Sequence, residues 1–319
     1  MSYEPPAALP VTPAPGPAAT PAPGPAPAAP APAPPAPAPA YASPAGAHVP
    51  LDVTAFDAAA DRLAVRREGG VVVIELADHA RRNMMGLEMT AAWERLMTAI
   101  AADSDVRAVL LTGQGSAFSS GGNTSWIGAD SHEPVPVLRE RMLAYYRAWL
   151  LIRDLQVPTI AAINGPAIGA GAALALACDI RWAGASASMA LPFVHMGLHP
   201  GMLSTFLLTE VAGVAAARDL LLTGRRVDAD EMRALGLASR VIADEALADE
   251  ALAVAEKVAA GAPVAVALTK VALRDGGPRD RASATQWEGL AQAVTLASDD
   301  LTEGLAALRE KRPPRFAGR

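Results

Sequence analysis

The chain has 319 residues, a formal net charge of −6 and 51% apolar residues. An acidic balance without a basic block argues against nucleic acid as a partner. No glycine-free apolar run of membrane-spanning length occurs, so a soluble, cytoplasmic protein without membrane association is expected. A single cysteine, Cys178, excludes an internal disulfide and a cysteine-based zinc cluster, and no metal site is expected.

Residues 1–50 hold 18 of the 28 prolines and one charged residue, Glu4, with alanine filling most of the rest. Proline denies the backbone regular hydrogen bonding, and alanine buries too little surface to offset the entropy of ordering. A disordered, extended tail is therefore expected, without the basic start and leucine-rich core of a signal peptide or the arginines of a mitochondrial presequence. It reads either as a passive spacer or as a tether whose Ser2-Tyr3-Glu4 docks on a partner. From Leu51 onward roughly 270 residues remain, enough for one large α/β core over 51–250 and a helical region over 251–319.

Leu63-Ala64-Val65 and Val71 to Leu76, separated by Glu68-Gly69-Gly70, predict a hairpin. The loop DHARRNMMG over 78–86 follows, with Arg81 and Arg82 as candidate phosphate contacts or plain surface arginines. Glu88 to Ala102 carries Met89, Trp93, Leu96, Met97 and Ile100 at helical spacing. Val109 to Thr112 predicts a buried strand, and AFSSGGN (117–123) a glycine-rich turn after it. Thr124 to Val137 reads as a loop, with Asp130, His132 and Tyr145 (in the following helix, 138–154) as candidate acid/base or surface residues. The stretch IAAINGPAIGAGAALALACD (160–179) runs from a buried strand through Asn164-Gly165-Pro166 and Gly169-Ala170-Gly171 into an alanine-rich helix. Small residues at such a turn let a ligand approach the backbone and leave the first helical amides without intrahelical partners. Two such turns supply two N–H donors, the number that suits a thioester oxygen becoming an enolate or tetrahedral oxyanion. Asp179 to Ala183 and Leu237 to Val241 predict further strands, Arg218 to Thr223 a helix, and Glu245 to Leu308 helix throughout.

These motifs resemble the crotonase superfamily, the enoyl-CoA hydratase/isomerase family, from about Leu63 to Phe316. AFSSGGN is similar to AF-x-AG-x-D, and NGPAIGAGAALALACD to NG-x-x-x-GGG-x-E-L-A-x-x-CD. LPFVHMGLHPG is similar to P-E-x-x-x-G-x-x-P-G, and the chain closes like the family's EG-x-x-A-F-x-EKR-x-P-x-F. The resemblance implies a ClpP-like spiral of repeated ββα units with a C-terminal helical trimerisation region, giving trimers or hexamers. It implies an acyl-CoA substrate, with coenzyme A as part of that substrate and no prosthetic group. The oxyanion-hole amides fall on Gly122 and Ala170, and substrate contacts on Arg82, Ser120, Phe193 and Lys311. Lys270, in the matching ALTK helix, is a second candidate cation for the CoA phosphates, or a solvated residue. The family's two catalytic carboxylates fall on Ala173 and Phe193, neither of which transfers a proton. His195 and His199 lie just beyond, as candidate acid/base residues, or as an outward-facing ring and a turn anchor. The readings left open are an acyl-CoA enzyme (displaced hydratase, hydrolase or decarboxylase), a non-catalytic acyl-CoA binder, and a scaffold whose tail is the functional part.

Overall fold

Continuous apolar runs signal strands buried on both faces, and the sheet is assembled from them. The computed structural model describes residues 49–129, 132–274, 278 and 280–319, all within the unit Gly46–Arg319. The tail up to residue 48, and Asp130, lie outside the described residues.

β1 (Leu63–Glu68) turns through Gly69-Gly70 into antiparallel β2 (Val71–Leu76), as the hairpin reading requires. After α1 (Leu87–Ala102), β3 (Ala108–Gly113) adds parallel to β2. α2 (Thr124–Ala129) and α3 (Val135–Asp154) precede β4 (Thr159–Ile163), parallel to β3. β4 breaks at Asn164-Gly165 into β5 (Pro166–Ile168), and α4 (Ala170–Ala177) closes this ββα unit. β6 (Ile180–Gly184), β7 (Ser188–Ala190) and α5 (Ser204–Thr223) repeat it. β8 (Arg226–Asp228), α6 (Ala229–Ala234) and β9 (Arg240–Ile242) complete two sheets, ordered β1-β2-β3-β4-β6-β9 and β5-β7-β8. This is the α/β spiral of ββα units that the motifs imply.

Among the described residues the helical region holds four separate α-helices, α7 (Leu247–Ala259), α8 (Pro263–Leu273), α9 (Arg281–Leu296) and α10 (Asp299–Glu310). The breaks follow from local chemistry. Pro263 opens α8, Asp280 caps α9 through the Ser283 amide at 2.9 Å, and Ser298 caps α10 through the Leu301 amide at 3.3 Å. Among the described residues no single helix is long and apolar enough to cross a membrane.

Alternation along the strands divides the core between the two faces of the large sheet. Val72, Ile74, Val109, Leu111, Ala161 and Ile163 pack toward α1, α3 and α4. Val71, Val73, Ala108, Leu110, Ile160 and Ala162 pack against Leu247, Ala251 and Ala255 of α7. α4 is buried along its whole length, which explains its small side chains: only alanine, glycine and leucine fit a helix enclosed on every side.

One expectation is corrected here. The stretch after Asn123 begins with α2 instead of a loop, and α3 starts at Val135, three residues before the helix expected at Leu138. The Asn123 Oδ1 accepts the Ser125 and Trp126 amides at 3.0 and 3.3 Å, a helix cap.

Candidate active site

The direction of a peptide N–H is fixed once its carbonyl is held, because the trans amide points the two groups opposite ways. The Gly121 carbonyl accepts the Met85 amide at 2.8 Å, so the Gly122 N–H on the same peptide plane points away from Met85. The Gly169 carbonyl accepts the Ala173 amide at 3.0 Å, inside α4, so the Ala170 N–H points out of the helix N-terminus. Neither the Gly122 nor the Ala170 amide has an acceptor among the described residues. Gly169 takes φ +55° and Gly121 φ +91°, both in the region that favours glycine.

The two amides sit on abutting segments. A Cβ at Gly121 would lie 2.5 Å from the Ile168 carbonyl oxygen and 3.2 Å from the Ala170 nitrogen, so only glycine permits this approach. Ser119 and Ala167 form a parallel bridge beside it. The dipole of α4 adds to the positive potential at Ala170. Two amides without acceptors among the described residues thus lie on adjoining segments, a candidate pair of donors to one oxygen atom.

The groups around the pair are mostly apolar. A Cβ at Gly122 would meet Ile127 at 3.2 Å and the Tyr145 hydroxyl at 3.5 Å, and one at Gly169 would meet the Phe193 ring at 3.8 Å. Tyr145 is buried and donates to the Met85 carbonyl at 3.1 Å. Burial pushes its phenol well above the usual range, with a small contribution from Tyr146, so it stays protonated. Its ring belongs to an aromatic row with Trp126 and Trp149, at 5.2 and 6.4 Å between centroids.

The sequence candidates fall in different places. Arg82 and Ser120 are joined through the backbone: the Ser120 amide donates to the Arg82 carbonyl at 2.8 Å, and its Oγ to the Arg81 carbonyl at 3.1 Å. Arg81 pairs with Asp78 at 2.7 Å, whereas the exposed Arg82 has no carboxylate partner among the described residues. His195 is exposed, and its Nε2–H donates to the Thr223 carbonyl at 2.7 Å, capping the end of α5. The His199 Nδ1–H donates to the Pro200 carbonyl at 2.8 Å. His132 is exposed. Lys311, in a left-handed conformation at the end of α10, is exposed without an acidic partner among the described residues. Ala173, in contrast, is fully buried.

Lys270 is neither a solvated residue nor a free cation. It is buried, 2.7 Å from the Asp179 carboxylate and donating to the Val157 carbonyl at 2.8 Å. Burial lowers its pKa against the opposing pull of Asp179.

The roles of two buried polar residues, Asn83 and Ser119, and of the half-buried Asn164 escaped the sequence reading. The Asn83 amide donates to the Gln114 and Ala117 carbonyls at 2.9 and 2.8 Å, while its Oδ1 accepts the Asp78 amide at 3.0 Å. Asn164 ties the ends of β3 and β4, accepting from the Gly113 amide at 3.1 Å and donating to its carbonyl at 2.8 Å. Ser119 joins the Gly121 turn to the Pro166–Ile168 strand. The available signal was a polar residue inside each glycine-rich motif, with no hint of partners 30 to 50 positions away.

Two cavities, of about 770 and about 870 Å³, are lined by other residues, the first around Gly70 and Arg107 and the second around Cys178 and Lys270. Neither lining includes Gly122 or Ala170, so the candidate site rests on donor geometry, not on cavity size.

Comparison with known proteins bears on the family and the fold. A family model described as enoyl-CoA hydratase/isomerase matches residues 66–319. The human protein named enoyl-CoA hydratase domain-containing protein 2, mitochondrial, is 35% identical over 255 residues, covering 78% of this chain and 86% of its own. The crystal structure of enoyl-CoA hydratase from Bacillus anthracis superposes with a TM-score of 0.76 at 33% identity, over 81% of this chain and all of that one. The enoyl-CoA hydratase structure from Mycobacterium smegmatis gives a TM-score of 0.73 at 32% identity, over 80% of this chain and 98% of that one. With a family-model match over most of its length and a fold shared with solved enoyl-CoA hydratases, this chain belongs to the enoyl-CoA hydratase/isomerase family of the crotonase superfamily.

Proposed function

We propose that the protein processes an acyl-CoA thioester, holding its carbonyl oxygen on the Gly122 and Ala170 amides and stabilising the enolate or tetrahedral oxyanion that forms there. The observation that carries this reading is that both amides lack protein acceptors while Gly121 packs against the Ile168–Ala170 segment. A donor pair set in advance stabilises developing negative charge without reorganisation.

The chemistry proposed differs from hydration by paired carboxylates. The positions that match the family's glutamates hold Ala173, buried, and Phe193, whose ring lies beside Gly169. The ionisable side chain beside the amides is Tyr145, which burial keeps protonated and which already donates to Met85. This favours reactions in which the substrate supplies its own leaving group, such as loss of carbon dioxide from a 2-carboxyacyl thioester. Hydrolysis with His195 as base would use its Nδ1, since Nε2–H is committed to Thr223. The second reading, a binder without chemistry, draws on the same absence of carboxylates.

Arg82, Ser120 and Lys311 are proposed to contact the CoA moiety, Arg82 and Lys311 as exposed cations without acidic partners among the described residues. A homo-oligomer is proposed as well. Leu301, Leu305 and Leu308 leave an apolar stripe exposed on α10, continued by Leu290 and Val294 on α9, the kind of face that a second copy covers.

Incubation with a panel of enoyl-, 2-carboxyacyl- and saturated acyl-CoAs, following binding and products by mass spectrometry, tests the reading. Turnover of one class supports the enzyme, binding without product supports the binder, and no binding to any CoA ester overturns both. Phe193→Glu with Ala173→Glu provides the complementary probe, with gain of hydration on a short enoyl-CoA as the expected sign of a conserved substrate register.

A further inference from the structure

We infer that Ser119 is the positioning residue that sets the spacing and aim of the two oxyanion amides; this rests on the oxyanion reading above. Ser119 lies outside the amide pair, yet it is fully buried and holds both segments that carry it. On the Ala170 side its amide donates to the Pro166 carbonyl at 3.2 Å, and its carbonyl accepts the Ile168 amide at 2.9 Å. On the Gly122 side its Oγ accepts the Gly121 amide at 3.1 Å. The same hydroxyl donates its proton to the Asn83 carbonyl at 2.8 Å, so both of its hydrogen-bonding roles are used.

The side chain is also a spacer. A Cβ at Gly171 would lie 2.6 Å from the Ser119 Cβ and 2.8 Å from its Oγ, so Ser119 packs directly on the second residue of α4. Thus one small side chain touches α4 beside Ala170, holds the amide of Gly121 one residue before Gly122, and anchors both to the loop of Asn83. The backbone bonds of Ser119 persist in any variant. The Oγ bond to Gly121 does not; it holds the Ser120–Gly121 peptide, and together with the Met85 amide on the Gly121 carbonyl it sets the rotation of the Gly121–Gly122 peptide. A wrong rotation there aims the Gly122 N–H away from the point at which the Ala170 N–H is directed. Donors off target by a fraction of an ångström lose their effect chiefly where charge is greatest, in the transition state.

The test uses the full chain and butyryl-CoA labelled with ¹³C at the thioester carbonyl, a saturated ester that reports polarisation by the shift of its carbonyl stretch on binding. The parent is expected to lower that frequency. Ser119→Ala should bind butyryl-CoA within about threefold of the parent but lose most of the shift, with kcat on any turned-over substrate falling roughly ten- to a hundredfold at near-constant KM. Ser119→Cys, which keeps a weaker donor and acceptor, should recover part of the shift. A parent-like shift in Ser119→Ala overturns the inference. If Ser119→Ala does not fold, Ser119→Cys decides: an intermediate shift supports the role and a parent-like shift overturns it. Bound butyryl-CoA with no shift in the parent itself overturns the oxyanion reading, and this inference with it.

Discussion

The two ends of α4 are built on opposite principles. At Ala170 the backbone amide has no acceptor among the described residues, its neighbours across the turn are Ser119 and Gly121, and the Phe193 ring lies beside the preceding residue. At Cys178, eight residues on, charged groups gather and are matched. Asp179 accepts the Thr159 amide and hydroxyl, each at 2.8 Å, and pairs with Lys270, while the Arg181 guanidinium donates to the Leu237 and Cys178 carbonyls. The Cys178 thiol, enclosed there, is pushed up to about 12 by burial first and the Asp179 charge second, so it is inert. Buried polar groups are ordinarily satisfied, each lapse costing about 1–3 kcal/mol. On the proposed function, titratable residues alone therefore mark the wrong end: their partners make them structural, and the backbone without acceptors is where binding is proposed.

The largest effect expected is at the N-terminal end. Gly122→Pro removes an amide hydrogen and should lower turnover of the processed acyl-CoA by roughly a hundred- to a thousandfold. The thermal midpoint, measured beside it, separates loss of the donor from loss of the fold. Full activity in this variant would remove the contrast between the two ends.

At the C-terminal end the expected loss is of stability, not chemistry. Asp179→Ala leaves the Lys270 ammonium without its partner, which for a buried pair costs about 3–5 kcal/mol. With the Asp179 side chain 30% exposed, a destabilisation of about 2–3 kcal/mol in denaturant melts is expected, with KM unchanged in the surviving folded protein. A tenfold rise in KM without destabilisation would move the second cavity from structure to binding.

A smaller effect is expected where charges pair at the surface. The Arg312 guanidinium, then the Arg315 amide at 2.7 Å, pull the Glu303 carboxyl down to about 2 from an ordinary 4.5. A depressed carboxylate stabilises fully above its unfolded value and loses that contribution as pH falls through the folded one. Protection of the Arg315 amide against hydrogen exchange, corrected for the intrinsic rate, should therefore hold above about pH 4.5 and decline toward pH 2. A decline centred near neutral pH would assign the contact to another group.

The strands and both glycine turns were legible because continuous apolar runs and glycines carry their own signal. The short strands β5, β7 and β8 were not, since three residues have no periodicity and owe their conformation to pairing with one another. α2 was hidden in the same way, although Asn123 at its start was a cap signal. The proposed oxyanion amides were named by motif, but the groups that hold their segments were not: Asn83, Ser119 and Asn164 act through the carbonyls and amides of distant turns, which no local pattern encodes. Lys270 read as an exposed cation because its helix repeats alanine and valine on all sides, and only the position of Asp179 in space shows why it is buried.

The amide pair is tested most simply by removing the oxygen it is said to hold. Calorimetry compares butyryl-CoA with butyl-CoA, the thioether in which the carbonyl is replaced by a methylene. Two neutral hydrogen bonds at about 0.5–1.5 kcal/mol each predict that the thioester binds roughly tenfold more tightly to the parent. In Gly122→Pro, which leaves only the Ala170 amide, the difference should shrink to about threefold. Equal affinities of the parent for ester and thioether would contradict the assignment of Gly122 and Ala170 as the oxyanion hole.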